Sequence, residues 1–214
     1  MSLLRISLSS CAAAFALAAC APVHHADAPD EANFTQAMQA YLARRGDLCV
    51  GRSEWPIVVT REEAAQGSRN ALQFPVLERL GLLRASDVQV ETGEPDARHR
   101  TPGRSYDLTD EGRKYYLAHE PYKRDTGHPM AAHDFCVARL SLKRVVHWDR
   151  PTREGVGAET VVSYTYDVAP APWTSDPEVR RVFPMVDRVI RGAGSMQLKE
   201  HMVLTAQGWE AREL

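Results

Sequence analysis

The sequence predicts an α+β fold with an N-terminal helix, a mixed helical and extended first half, and a second half dominated by antiparallel strands. In the first half, apolar residues recur at helical spacing in two segments. Between residues 135 and 168 they alternate instead, in segments rich in β-branched and aromatic residues that suit a pleated surface. The change of period along the chain is what separates the two halves.

The first twenty residues have the composition of a secretory signal. Arg5 supplies a positive charge, no acid is present, and the apolar segment that follows ends at Ala19. This segment is shorter than the roughly 20 apolar residues that a stable transmembrane helix needs. It ends in Leu17-Ala18-Ala19-Cys20, which resembles the lipobox of bacterial lipoproteins. The alternative is an ordinary secretory signal that happens to be cut before a cysteine.

The lipobox resemblance implies a location. In that family the matching cysteine, here Cys20, receives a diacylglyceryl group, residues 1–19 are removed, and the new N-terminus is usually acylated. Two or more acyl chains anchor a protein stably, where one is marginal. Ala21 rather than Asp follows the cysteine, which in this family implies the outer membrane. The whole chain resembles the small lipoproteins of Gram-negative bacteria, a resemblance that transfers location without activity.

The charge balance gives no support for binding to a polyanion. Without residues 1–19 the chain keeps 25 basic and 28 acidic residues, a net charge of −3 with neutral histidines. Such a chain has no electrostatic reason to bind nucleic acid or anionic lipid. We therefore expect the membrane to hold it through its acyl chains alone.

The four cysteines fall into two groups. Cys11 leaves with the signal and Cys20 is lipidated, which leaves Cys49 and Cys136 in an oxidising compartment. A lone pair there commonly forms a disulfide. The alternatives are two buried free thiols or a two-cysteine metal site, the latter disfavoured because no Cys-x-x-Cys or nearby histidine spacing accompanies the pair.

Residues 20–30 are composed of Ala, Pro, His and Asp and predict a tether. A helix is predicted next, capped by Asp30 or Asn33 and ended at Gly46. Its apolar stripe consists of Phe34, Met38, Tyr41 and Leu42.

The rest of the first half, which we bound at residues 31–120, contains a short extended segment at "WPIVVT" and a single helix in "REEAAQGSRNALQFPVLERLGLLRA". A strand, a polar loop and a second strand follow. The segments "LERLGLLRA" and "YDLTDEGRKYY" resemble a winged helix over residues 60–118. The resemblance implies a DNA-binding shape with a basic wing at Arg98, Arg100 and Arg104. Because an exported protein meets no chromosome, we expect the shape without that activity.

Three short segments recur in the same order in both halves, which predicts two related halves unless the similarity is due to chance. The pairs are "CVGR" with "CVAR", "FPVLERL" with "FPMVDRV", and "YDLTDEGRKYY" with "MVLTAQGWEAR". A pseudo-twofold axis would bring Cys49 and Cys136 together.

A connector at residues 121–134 leads to the second half, residues 135–214. "FCVARLSLKRVVHWD" alternates with one phase slip that predicts a bulge. "GAETVVSYTYDV" completes an antiparallel hairpin with it, and a Pro-rich link, a helix and a last strand follow.

The metal-ligating candidates are histidines around the connector. His119, His128 and His133 lie there with three acidic residues, Glu120, Asp125 and Asp134. They are weak candidates, because polar connectors carry such residues routinely.

Two tryptophans suggest a ligand surface. Trp148 and Trp173 flank the hairpin ends, where an exposed indole face would suit a sugar ring. The loop "PAPWTSDP" is the place to expect it, because loops on a rigid scaffold often carry function.

The sequence contains no Gly-x-Ser-x-Gly, Ser-x-x-Lys or His-Glu-x-x-His motif. We therefore expect a non-enzymatic envelope lipoprotein without a cofactor, which binds another envelope protein or peptidoglycan. The alternative is a metal-dependent or hydrolytic periplasmic enzyme that uses the His119–Asp134 connector. A DNA-binding regulator would require the signal interpretation to be wrong.

Overall fold

The computed structural model describes residues 25–94, 96–119 and 132–212, so the predicted lipidation site Cys20 lies outside the described residues. The elements confirm the α+β class. In chain order they are α1 (Glu31–Arg45), β1 (Asp47–Cys49), β2 (Ile57–Thr60), α2 (Arg61–Ala65), α3 (Arg69–Arg79), β3 (Leu83–Thr92), β4 (His99–Leu108), α4 (Asp110–Arg113), β5 (Tyr116–Ala118), β6 (His133–Trp148), β7 (Glu159–Pro170), a 3₁₀ turn (Pro172–Ser175), α5 (Pro177–Val182), α6 (Pro184–Gly192), β8 (Gln197–Thr205) and β9 (Gly208–Ala211).

Helix α1 begins and ends where the sequence predicts. Of the two candidate caps, Asp30 is the one used: its side chain accepts a hydrogen bond from the Asn33 amide, and the Gly46 N–H closes the last turn on Leu42. The Asn33 side chain instead donates to the carbonyls of His25 and Ala28. It thereby ties the preceding segment to the helix.

The larger sheet is antiparallel throughout, in the order β1-β6-β7-β8-β9, with β5 also paired to β6. The predicted bulge is present, as two register shifts in β6 after Leu142 and Val145. Helix α1 packs on β6 and β9, and its apolar stripe closes one hydrophobic core. Phe34 and Met38 are fully buried in that core.

The middle segment, β2 to β4, contains the helices and the hairpin that the winged-helix resemblance implies, and we call it the winged-helix segment; the resemblance itself stays a prediction. The segment consists of a strand, two helices and a long hairpin. Its three strands form a sheet in the order β2-β4-β3, so the first strand pairs with the last. The predicted helix is present as α3, and a second, shorter helix precedes it as α2. The two are separate because Gly67 has a φ of +65° and Ser68 caps the start of α3. The Thr60–Glu63 capping box starts the first of them.

A second core joins the winged-helix segment to α5 and α6. Phe74 and Phe183, the two members of the repeated Phe-Pro motif, are both buried in it. The buried Gln73 amide donates to the Val182 carbonyl across the contact at 2.9 Å. This core makes the two predicted halves share one interior.

The repeated Leu-Thr-x-x-Gly motif adopts two different structures. Thr109 caps α4 by accepting from the Gly112 amide. Thr205 and Gly208 form instead the turn of the β8–β9 hairpin. The shared sequence motif therefore does not give a shared local structure. The relation between the two halves stays a prediction.

Candidate functional site

The predicted disulfide between Cys49 and Cys136 is confirmed. The two residues are cross-strand partners in the antiparallel β1–β6 pair, and the bond closes a separation of 87 residues. A register shift lies beside the pair, between Leu48 and Cys49. Strand pairing alone therefore brings the sulfurs together.

A histidine lies against both sulfurs. The His119 Nε2 atom is 3.5 Å from the Cys49 Sγ and 3.4 Å from the Cys136 Sγ. Strand β5, just before His119, pairs with the start of β6, and the His119 N–H donates to the Ala132 carbonyl. We call Cys49, His119 and Cys136 the sulfur–imidazole cluster. Cys136 is buried, whereas Cys49 and His119 are half-buried.

Asp134, one of the acidic residues of the predicted connector site, holds the loop that follows Cys49. Its carboxylate accepts hydrogen bonds from the backbone N–H groups of Gly51 at 3.1 Å, Arg52 at 2.6 Å and Phe135 at 2.7 Å. Charge-assisted bonds of this kind are stronger than neutral ones. The carboxylate therefore fixes the backbone on which Cys49 sits.

The Arg52 side chain closes the same loop. It lies over the Phe74 ring, 5.7 Å from the ring centre, and donates to the Val50 and Gly51 carbonyls. Burial lowers the pKa of Arg52, and Arg69 lowers it further, while Asp134 acts in the opposite direction. Arg52 is therefore a structural cation of the loop.

The other predicted metal ligands are placed differently. His133 is exposed, and its ring stacks on Tyr116 with centres 5.2 Å apart. It is not a member of the sulfur–imidazole cluster. His128, Glu120 and Asp125 lie outside the described residues.

The two tryptophans of the predicted ligand surface lie in different cores. Trp148 packs against Phe34, with ring centres 5.3 Å apart. Trp173 packs against Phe135 and Tyr115 in the other core. Within the described part of the chain its indole N–H is buried without a hydrogen-bond partner. Both indoles stabilise the interior, and a sugar-binding role for them stays a prediction.

A groove of about 650 Å³ opens on the winged-helix segment, between helices α2 and α3 and the face of the three-stranded sheet. We call it the sheet-face groove. Its floor is largely apolar, formed by Val59, Val88, Pro102, Gly103 and Tyr106. A Cβ at Gly103 would stand 2.9 Å from the Val59 carbonyl oxygen, so glycine permits the close strand contact there.

The helical wall of the sheet-face groove is made of small residues. Ala64, Ala71 and Pro75 form it, and Arg61, Asp87 and Arg104 stand among the polar lining residues. Pro75 lies inside α3 and has no N–H, which leaves the Ala71 carbonyl without its α-helical donor.

No protein-family model, curated protein or solved structure matches this chain. The site must therefore be interpreted from its own chemistry. Among the described helices, none combines the length and apolar character needed to cross a membrane.

The sequence did not predict the sulfur–imidazole cluster or the sheet-face groove. The sulfur–imidazole cluster was missed because its residues are 70 and 17 positions apart along the chain, without a metal-binding spacing. The groove was missed because its lining comes from five elements. The only available signal was the winged-helix resemblance.

Proposed function

We propose that this protein is a lipid-anchored envelope protein that binds a polypeptide segment of another envelope protein in the sheet-face groove. The carrying observation is the groove itself. Its volume of about 650 Å³ lies within the range of about 300–1,000 Å³ typical of ligand sites. Its apolar floor, with polar groups around it, matches the usual composition of such sites.

The aromatic chemistry of the groove favours a polypeptide over a glycan. An open aromatic face suits a sugar ring, but the groove's aromatic residue, Tyr106, is 2% exposed. Its ring is covered by the Arg104 guanidinium and by Phe74. An apolar side chain of a partner would instead bury itself against Val59 and Val88.

The polar groups of the groove also suit a polypeptide. A partner backbone N–H can donate to the Ala71 carbonyl that Pro75 leaves without its helical donor. Asp87 and Arg61 provide opposite charges at the rim. These contacts would orient a bound segment, while apolar burial supplies the affinity.

The wing favours protein over nucleic acid as the partner. Arg104 pairs with Glu78 at 3.0 Å and Arg98 with Glu91 at 3.7 Å. Paired cations contribute less to phosphate binding than the free basic wing of a DNA-binding winged helix.

The contacts of the described residues that precede α1 support a body held close to the membrane. The Trp209 indole N–H donates to the carbonyls of Asp27 and Ala28, and Asn33 binds His25, so residues 25–30 are attached to the folded body. With Cys20 lipidated, the remaining five residues can span at most about 18 Å.

Filling the groove tests the proposal. We expect Ala64→Trp, on the exposed face of α2, to abolish partner binding, because the indole occupies the volume of the bound side chain. A photoreactive p-benzoylphenylalanine replacing Gln89 reports binding in intact cells. The expected result is one recurrent protein crosslink that A64W reduces at least tenfold. The matched control is Ala40→Trp, on the exposed face of α1.

Three outcomes would contradict the proposal. The first is a Gln89 crosslink that A64W leaves unchanged. The second is an equal crosslink from Val156, which is 68% exposed and outside the groove. The third is capture of glycan in place of protein, which would favour peptidoglycan as the ligand. The predicted alternative, a metal-dependent or hydrolytic enzyme that uses the connector, stays a prediction.

A further inference from the structure

Three metal-ligating atoms converge at the sulfur–imidazole cluster. The Sγ atoms of Cys49 and Cys136 and a ring nitrogen of His119 all lie within 4.8 Å of one another. They come from β1, from β6 and from the position after β5. Two sulfurs from two strands and one imidazole from the end of a third form a ligand set that the disulfide role does not require.

We propose that the reduced form of this cluster binds Cu⁺. Reduction requires two electrons and two protons, and a dithiol supplies both. The S–S bond breaks, Cys49 and Cys136 become thiols, and the dithiol becomes a disulfide. Cu⁺ then displaces both thiol protons, and its bonds to the two thiolate sulfurs and to His119 complete the site.

The ligand set favours Cu⁺ over Zn²⁺. Thiolates are soft ligands that bind both Cu⁺ and Zn²⁺. Cu⁺ is stable with two or three donors, so the number of ligands separates the two ions. Structural Zn²⁺ is bound almost always by four ligands. The cluster supplies three from the residues that the structure describes. It therefore fits the trigonal ion, and Zn²⁺ would have to take water as its fourth ligand.

The backbone around the cluster holds the ligands in place without the disulfide. The Cys136 N–H donates to the Tyr115 carbonyl at 2.7 Å, and the Val50 N–H donates to the Phe135 carbonyl at 3.0 Å. Asp134 binds the loop after Cys49 through Gly51 and Arg52. After reduction these bonds remain, so the thiols stay beside the imidazole.

Burial also suits a bound cation. Cys136 is 4% exposed, which protects a metal–sulfur bond from water, while the half-buried Cys49 and His119 leave a path for the ion. Metal binding at such a site is coupled to the loss of ligand protons and depends on pH.

The test uses the full chain with Cys11→Ser and Cys20→Ser, in which Cys49 and Cys136 are the remaining cysteines. The chain is reduced with a dithiol, its native circular dichroism is verified, and Cu⁺ is titrated against a chromogenic Cu⁺ chelator under anaerobic conditions. We expect one Cu⁺ per reduced chain and none per oxidised chain. His119→Gln, which keeps the disulfide, should weaken Cu⁺ binding at least tenfold.

His133→Gln is the matched control, because His133 is exposed and stacked on Tyr116, and it should bind Cu⁺ as tightly as the parent chain. Equal Cu⁺ affinity of H119Q and its parent would overturn the proposal. So would tighter binding of Zn²⁺ than of Cu⁺ in a parallel titration. A reduced chain that loses its native spectrum and does not regain it with Cu⁺ would also overturn it, because the fold would then supply no site.

Discussion

Replacing Cys20 by alanine is expected to abolish the mature membrane-bound form of this protein. The thiol of Cys20 is the acceptor of the acyl group that the lipobox resemblance implies, so without it neither lipidation nor cleavage after residue 19 occurs. The acyl chains together form the membrane anchor, since stable anchoring needs two or more of them. Without Cys20 none of them is attached, so the whole anchor is lost. Palmitate labelling, fractionation and the mass of the intact protein measure the effect.

The expected result is complete loss of label and retention of residues 1–19 in the product. Cys11→Ala is the control, because Cys11 lies within the segment that is removed, and it should be labelled like the wild type. A Cys20→Ala chain of mature size in the membrane fraction would show that another feature anchors the protein. A wild-type chain found soluble in the cytosol would contradict the lipobox interpretation itself.

Loss of the Cys49–Cys136 disulfide is expected to lower the free energy of unfolding by about 4–5 kcal/mol. The chain-entropy model gives this value because the bond closes a loop with a sequence separation of 87 residues, which restricts the unfolded chain. The measurement is urea unfolding of Cys49→Ser/Cys136→Ser and its parent, both in the Cys11→Ser/Cys20→Ser background. Since a typical domain has a stability of about 5–15 kcal/mol, the variant should still fold.

The effect should disappear when the disulfide is absent from both proteins. In the presence of a dithiol, the parent and the double variant should unfold at similar urea concentrations. Mass spectrometry should show a loss of two hydrogen atoms in the oxidised parent only. Two alkylatable thiols in the native exported protein, or equal midpoints without reductant, would contradict a stabilising bond.

Local signals in the sequence were sufficient for the elements whose stabilising contacts are local. The stop of α1 at Gly46 and its cap at Asp30 depend on neighbours within four residues. The strands β6 and β7 carry an alternation that any sheet would require. The phase slip in β6 predicted a bulge because a shift of one residue would otherwise turn side chains to the wrong face.

Local sequence signals did not determine how two tryptophans pack or where one helix ends and the next begins. Trp148 and Trp173 were expected to flank hairpin ends and to be partly exposed, and both are half-buried. Phe34 of α1 packs on the first indole, and Tyr115 and Phe135 pack on the second. The break at Gly67 was hidden because residues 61–79 carry helical preference on both sides of it. Turn conformation at a single glycine outweighed that preference.

By itself the sequence determined the α+β class, the strand-forming segments and a pair of cysteines suited to a disulfide, because these depend on residue type and short-range spacing. Only the tertiary structure decided that His119 lies against both sulfurs, and that five elements enclose one groove. The physical reason is that antiparallel pairing of β1 and β5 with β6 joins residues distant along the chain. No local pattern encodes such a contact.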